Sequence, residues 1–215
     1  MGQTLPKQYL PLAGRPMLFH SLRRLCSETA IVRVFVVLAP DDTRWPHYDW
    51  SEFAGRIRVL YCGGETRAET VGNALATLAG EIEEKDWLLV HDAARPCLSS
   101  ELLTTLLKTV GRDKVGGLLA LPLADTLKRA DRETRAGSTE SREGLWLAQT
   151  PQMFRYALLR RALEAMPAGV ATDESRAVEN LRLYPLLVHS DHSNLKVTFP
   201  SDLALAELIL RGRAQ

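Results

Sequence analysis

Cysteine is scarce in this chain. Its three cysteines, Cys26, Cys62 and Cys97, are odd in number and far apart, with no C-x-x-C pair. That argues against a disulfide framework or a zinc site and fits reduced, buried thiols in a cytoplasmic protein. Long apolar runs are lacking too. The longest uncharged stretches, Thr70–Gly80 and Gly144–Phe154, reach 11 residues, against the ~18 that a spanning helix needs. The segment Met1–Lys7 has no basic-then-apolar signal pattern. No membrane partner is expected. Nor is there an excess of one charge: Lys+Arg is 27 and Asp+Glu is 26, a net +1. This balance gives no reason to expect a nucleic-acid surface, though a local basic pocket stays open. Three signatures are missing as well: the G-x-x-x-x-G-K-[ST] phosphate loop, the G-x-G-x-x-G dinucleotide loop and the G-x-S-x-G nucleophile turn. His189-Ser190-Asp191-His192 has the look of a short metal pair, but its place at a strand end reads better as a solvated turn.

What is present is an alternation of strands and helices. The 215 residues suit one domain, 1–215, burying roughly 70% of the unfolded surface. Met17–Cys26 reads as a helix with Leu18, Leu22 and Leu25 on one face. The β-branched runs Ile31–Leu38 and Arg56–Cys62, then Trp87–His91 and Gly117–Leu121, read as strands. Thr66–Leu78 and Ser99–Val110 read as helices, the second capped by Ser99 or Ser100. This order predicts an α/β fold with a mostly parallel sheet. Thr126–Leu145 breaks the pattern. It is polar, with seven charged residues from Lys128 to Glu140 and no apolar stripe, and reads as a protruding hairpin arm. Beyond it the pattern predicts a strand at Trp146–Gln149, helices over Pro151–Met166 and Thr172–Asn180, strands at Leu186–His189 and Leu195–Thr198, and a C-terminal helix over Pro200–Arg211.

Ligands of open parallel sheets bind beyond the carboxyl ends of the strands. After the second strand comes Gly63-Gly64-Glu65-Thr66-Arg67, either a tight capped turn or a backbone that approaches a ligand at a helix N-terminus. After the third comes His91-Asp92-Ala93-Ala94-Arg95-Pro96. Asp92 there can hold a ribose hydroxyl or a metal–phosphate, and Arg95 can fix the loop or bind an anion.

Together with Pro6-Lys7-Gln8-Tyr9-Leu10, Thr150-Pro151-Gln152, Thr172-Asp173-Glu174 and Asn194-Leu195-Lys196-Val197-Thr198, these motifs closely resemble the 2-C-methyl-D-erythritol 4-phosphate cytidylyltransferase family, over about Gln3 to Leu210. The resemblance implies a Rossmann-like, three-layer nucleotidyltransferase that uses CTP and methylerythritol phosphate and releases pyrophosphate. It implies Mg²⁺ or another divalent cation bound mainly through CTP phosphates. It also implies a homodimer whose β-arms, about 126–145, cross between subunits. Lys7 and Lys196 match the family's lysines beside the attacked α-phosphate. Gly63, Gly64, Glu65, Thr70, Asp92 and Ala93 match nucleotide-binding positions. Asp92, Thr139, Arg155 and Lys196 are the candidate substrate contacts, Thr139 reaching the neighbouring subunit. Arg67 and Arg95 look like loop-fixing residues. A phosphate nucleophile is already anionic, so lysines and a cation suffice to hold the charge that builds on the α-phosphate.

The chain departs from the family pattern in several places. Thr70 stands for a usual serine and Glu65 for a common aspartate. The family's substrate-phosphate arginine aligns with Tyr156, one residue past Arg155. The family's opening strand and P-A-A-G-x-G-x-R loop have no counterpart, since Met1-Gly2 stands where the loop ends. Two expectations follow: a coding start placed too late, or a truncated, non-catalytic nucleotide-binding dimer. Ribitol 5-phosphate cytidylyltransferase is the rival at the level of substrate.

Overall fold

The computed structural model describes residues 5–166 and 173–213. After a 3₁₀ turn at Lys7–Tyr9, a short antiparallel pair, β1 (Pro11–Leu12) and β2 (Arg15–Pro16), leads into α1 (Met17–Ser27). Next come β3 (Val34–Leu38), β4 (Ile57–Tyr61), α2 (Arg67–Thr77), β5 (Trp87–Val90), α3 (Ser100–Val110) and β6 (Gly116–Pro122). The arm follows as β7 (Leu127–Ala130) and β8 (Ala136–Glu140), then β9 (Trp146–Arg155), α4 (Tyr156–Glu164), α5 (Glu174–Asn180), β10 (Leu186–His189) and α6 (Pro200–Arg213).

Alternation along each strand builds the layers. In β3, Val34, Val36 and Leu38 point into a cluster with Leu18, Phe19 and Leu22 of α1. Phe35 and Val37 point the other way, onto Leu60, Ala74 of α2 and its C-cap Leu78. β3 and β4 pair in parallel. The second sheet has the order β10-β6-β9-β5. Its Leu119, Met153 and Val188 pack on Leu103, Leu106 and Val110 of α3. Phe154, on its opposite face, packs with Leu159 and Val178 from α4 and α5. Two-residue periodicity thus feeds two helical layers from one sheet.

The α/β, three-layer expectation holds, and the sheet is mixed. β10 runs parallel to β6, but β9 runs antiparallel to both β5 and β6. No ladder joins β3 to β5 among the described residues. The expected helix over Pro151–Met166 is corrected. Gln152–Arg155 belong to β9, and helix begins only at Tyr156. Pro151 is tolerated in this strand because it sits at a register shift, where Leu118 faces Gln152 and Ala120 faces Ala148.

Other boundaries shift as well. Val32 is 87% exposed, so β3 begins at Val34 and not at Ile31. Leu195–Thr198, expected as a strand, joins no ladder among the described residues, and Val197 N–H donates to the Ala94 carbonyl at 2.8 Å. α6 runs to Arg213. Thr172, the expected start of α5, lies outside the described residues, as do Met1-Gly2. The arm does form, as a two-stranded hairpin with almost every residue exposed. All three cysteines are free, but only Cys97 is buried. No helix among the described residues is long and apolar enough to cross a membrane.

Candidate active site

The carboxyl end of β5 opens into the segment His91–Pro96, and Asp92 is its centre. One Asp92 carboxylate oxygen accepts from Arg67 Nε at 3.0 Å and the other lies 2.8 Å from Lys196 Nζ. Burial pushes the Asp92 carboxyl up, but Arg67 and Lys196 outweigh it and hold it at about 2. Asp92 is therefore ionised at neutral pH. Lys7 stands in the same field. Its ammonium is lowered from its ordinary value, first by burial and then by the like charge of Lys196, with Asp202 and Asp92 opposing.

Arg67 reaches this centre from the first turn of α2, and the turn before it is built for stability. Thr66 Oγ1 accepts from Glu69 N–H, and Glu69 Oε2 accepts from Thr66 N–H at 3.2 Å and from Glu65 N–H at 2.9 Å, a reciprocal capping box. Gly64 N–H donates to Thr70 Oγ1 at 3.0 Å. A Cβ on Gly63 would lie 2.9 Å from the Leu38 carbonyl oxygen, and one on Gly64 would lie 2.5 Å from Glu69 Cβ. Both glycines thus make room for the chain's own packing. The amides of Gly64, Glu65 and Thr66 have partners within the chain.

Sequence reasoning assigned no role to several residues that the structure brings in. Arg67 Nη1 also donates to Glu174 Oε1 at 2.5 Å, and Glu174 is only 1% exposed. Burial raises the Glu174 carboxyl, with the Arg67 guanidinium opposing. Beneath Asp92, its N–H donates to Thr150 Oγ1 at 3.0 Å, and that hydroxyl lies 3.0 Å from His91 Nδ1. His91 Nε2 lies 3.2 Å from the Arg95 carbonyl. With Nε2 carrying the proton, every partner in this chain is satisfied. Burial pushes the His91 imidazolium down to about 4, so the neutral ring is the resident form. Arg95 donates to the carbonyls of Asn194 at 2.7 Å and Ala148 at 3.4 Å. Asn194 donates to Gln149 Oε1 and to the Thr150 carbonyl. The β5 loop, the β9 irregularity and the segment carrying Lys196 are thereby tied together. The Ala93 carbonyl accepts a long 3.5 Å bond from Ser21 Oγ. Thr150, Glu174 and Asn194 all fall within the motifs quoted above, and the motifs were the only signal for them.

Two candidates lie elsewhere. Arg155 pairs in register with Trp87 at the start of β5, with its guanidinium 3.8 Å from the Trp87 ring centroid and bonded to the Lys85 carbonyl. About 10 Å of strand separates Trp87 from Val90, and Asp92 lies further on. Arg155 thus lies away from the Asp92 centre of its own chain. Its neighbour Tyr156 is a core residue, 2% exposed. Thr139 is in the arm, accepting from Lys128 Nζ at 2.6 Å. Among the described residues no three His, Cys, Asp or Glu side chains converge as a metal cage.

The arrangement sets two cations, Lys196 and Arg67, on one deep carboxylate at the mouth of a strand, with Lys7 in the same electrostatic field. It can bind and polarise a polyphosphate, and it holds no activated hydroxyl or thiol. Comparison with known proteins matches this chemistry. A model of the family described as 2-C-methyl-D-erythritol 4-phosphate cytidylyltransferase covers residues 1–212. The chain belongs to the 2-C-methyl-D-erythritol 4-phosphate cytidylyltransferase family. Cytidylyltransferases of that name from Nitrosomonas eutropha and Dechloromonas aromatica are 58% and 57% identical, over 100% and 99% of this chain and 92% of each relative. A solved 4-diphosphocytidyl-2C-methyl-D-erythritol synthase superposes with a TM-score of 0.87 at 44% identity, covering 95% of both chains. The Francisella tularensis cytidylyltransferase does so at 0.82 and 31%, over 95% of this chain and 93% of its own. The chain is thus a nucleotidyltransferase-family enzyme of isoprenoid biosynthesis, and neither a non-catalytic scaffold nor the ribitol phosphate enzyme is favoured.

Proposed function

We propose that this chain transfers the cytidylyl group of CTP to 2-C-methyl-D-erythritol 4-phosphate. A phosphate oxygen of the sugar alcohol forms a bond to the α-phosphorus, the bond from that phosphorus to the bridging oxygen breaks, and pyrophosphate leaves. The products are 4-diphosphocytidyl-2-C-methyl-D-erythritol and pyrophosphate. The observation that carries this reading is the pairing of Lys196 and Arg67 with Asp92 at the end of β5, with Lys7 in the same electrostatic field. Lys7 and Lys196 meet the negative charge that builds on the α-phosphate, and Lys196 is already positioned before the reaction begins. Asp92 holds Lys196 in place and offers an acceptor to a hydroxyl of either substrate. Arg67, braced by Glu174, holds Asp92.

The donor set fits a divalent cation that is ligated mainly by nucleotide phosphate oxygens, because the one deep carboxylate is spent on two cations. Such an ion, when bound, withdraws charge from the phosphates.

Exposed apolar residues support a homodimer. Tyr184 (82%), Leu187 (46%) and Leu147 (49%) lie at or near β10, the sheet's edge, and at the base of the arm. Across such an interface the arm would bring Thr139 to the partner's substrate phosphate. The deciding assay is pyrophosphate release from CTP, with methylerythritol phosphate and ribitol phosphate as competing acceptors. Release with the former alone is expected. Equal or faster release with ribitol phosphate would reverse the assignment.

A further inference from the structure

A cavity of about 420 Å³ opens between α1, α6 and the segment Pro96–Leu98. Neither Lys7, Asp92 nor Lys196 lines it. Four arginines do: Arg23 and Arg24 from α1, and Arg211 and Arg213 from the last turn of α6. Arg23 is paired with Glu52 and Arg211 with Glu207, and neither of these carboxylates lines the cavity. Arg24 and Arg213 form no salt bridge among the described residues. Arg24 Nε donates to the Leu98 carbonyl at 3.2 Å, which leaves both terminal nitrogens free of protein bonds there. Arg213 donates to the Cys97 carbonyl and to Ser193 Oγ, each at 2.6 Å. His20 adds no charge at neutral pH, since burial lowers its pKa and its Nε2 is bonded to the Leu12 carbonyl.

With four arginines and three neighbouring carboxylates, Glu52, Glu207 and Glu101, the last acting on Arg213, the formal charge at the cavity is +1. Like charges held this close repel, and a dianion relieves them. Backbone carbonyls already hold Arg24 and Arg213, so their planar donor forks need little ordering to clasp a phosphate. The cavity is roughly thirty times the volume that one water requires, so an inorganic phosphate would leave most of it empty. The remaining wall is apolar, from Ala13, Pro96, Leu98 and Leu210. We propose that this cavity is a second anion site, separate from the Asp92 centre, for a small organic phosphate whose dianionic head meets Arg24 and Arg213 and whose apolar part covers Ala13 and Leu210.

Phenyl phosphate is a suitable probe, since it joins a dianion to an apolar ring. Isothermal titration into the full chain at low salt should show binding, and inorganic phosphate should bind more weakly. The double variant Arg24→Gln/Arg213→Gln should lose about tenfold or more in affinity. Lys196→Ala, which alters the other site, should leave that affinity unchanged. Circular dichroism checks that each variant folds. Should the double variant be unfolded, each single glutamine variant should show a smaller loss in the same direction. The proposal is overturned if the wild-type chain gives no binding. It is equally overturned if Lys196→Ala abolishes binding while the arginine variants keep it, since the probe would then be reading the Asp92 centre.

Discussion

Acid should destabilise this protein through one imidazole. His91 is held at about 4 against an ordinary 6.5. Between those values the unfolded chain binds a proton that the folded chain refuses, so folding stability falls as pH drops from 6.5 to 4 and is fully present above 6.5. At about 1.4 kcal/mol per pH unit, the 2.5-unit gap amounts to about 3 kcal/mol. That is an upper figure, because His91 as a whole keeps some exposed surface. Two carboxylates act alongside. Asp92, held at about 2, contributes stability present above 3.8 and lost as pH falls to 2, worth about 2 kcal/mol. Glu174, raised by burial, has the opposite sign and loses stability as pH rises through its folded value. A difference measurement isolates His91. His91→Gln cannot titrate, yet its amide offers an acceptor to Thr150 and a donor to the Arg95 carbonyl. Urea unfolding midpoints at neutral pH and near pH 4 should show wild type losing up to about 3 kcal/mol more than the variant, or roughly 6–12 °C in melting temperature. Equal acid losses in the two proteins would refute the neutral, enclosed histidine.

Lys196→Ala should cut turnover by roughly two to three orders of magnitude with the fold intact, because Lys196 is 47% exposed and Asp92 keeps Arg67; unchanged turnover would remove this lysine from the mechanism. Arg67→Ala leaves Glu174 buried without its cation and should lower stability by about 3–5 kcal/mol, read from urea midpoints, whereas Arg67→Lys should recover part of it. Thr139→Ala should raise KM for the sugar phosphate far more than KM for CTP, and equal effects on both would argue against an arm that crosses to the partner's site. Leu147→Asp should shift a dimer towards monomer by light scattering, and an unshifted mass would move the interface elsewhere.

Local patterns carried much of this fold. The β-branched run ending at Leu38, the serine cap at Ser99 and the polar arm needed only their near neighbours to be legible. The motif at the end of β5 marked where the site lies, because ligands gather at strand ends whatever the rest of the sheet does. Residues 150–155 could not be read this way. Thr150-Pro151 opens a segment that suits a helix start, yet Gln152–Arg155 fill the slot between β5 and β6, and burial on both faces outweighs local preference. That choice sent Arg155 to the Trp87 end of the sheet.

By itself, then, the sequence determined the α/β class, the arm, the lysines to test and the absence of a nucleophile pattern, all properties of short windows. Only the tertiary structure decided that Arg67 is clamped between Asp92 and a glutamate 107 residues away, that His91 is neutral beneath Asp92, and that four arginines from two distant helices share one cavity. Charges far apart in the chain acquire their energies from distance and from exclusion of water, and both exist only once the layers have closed.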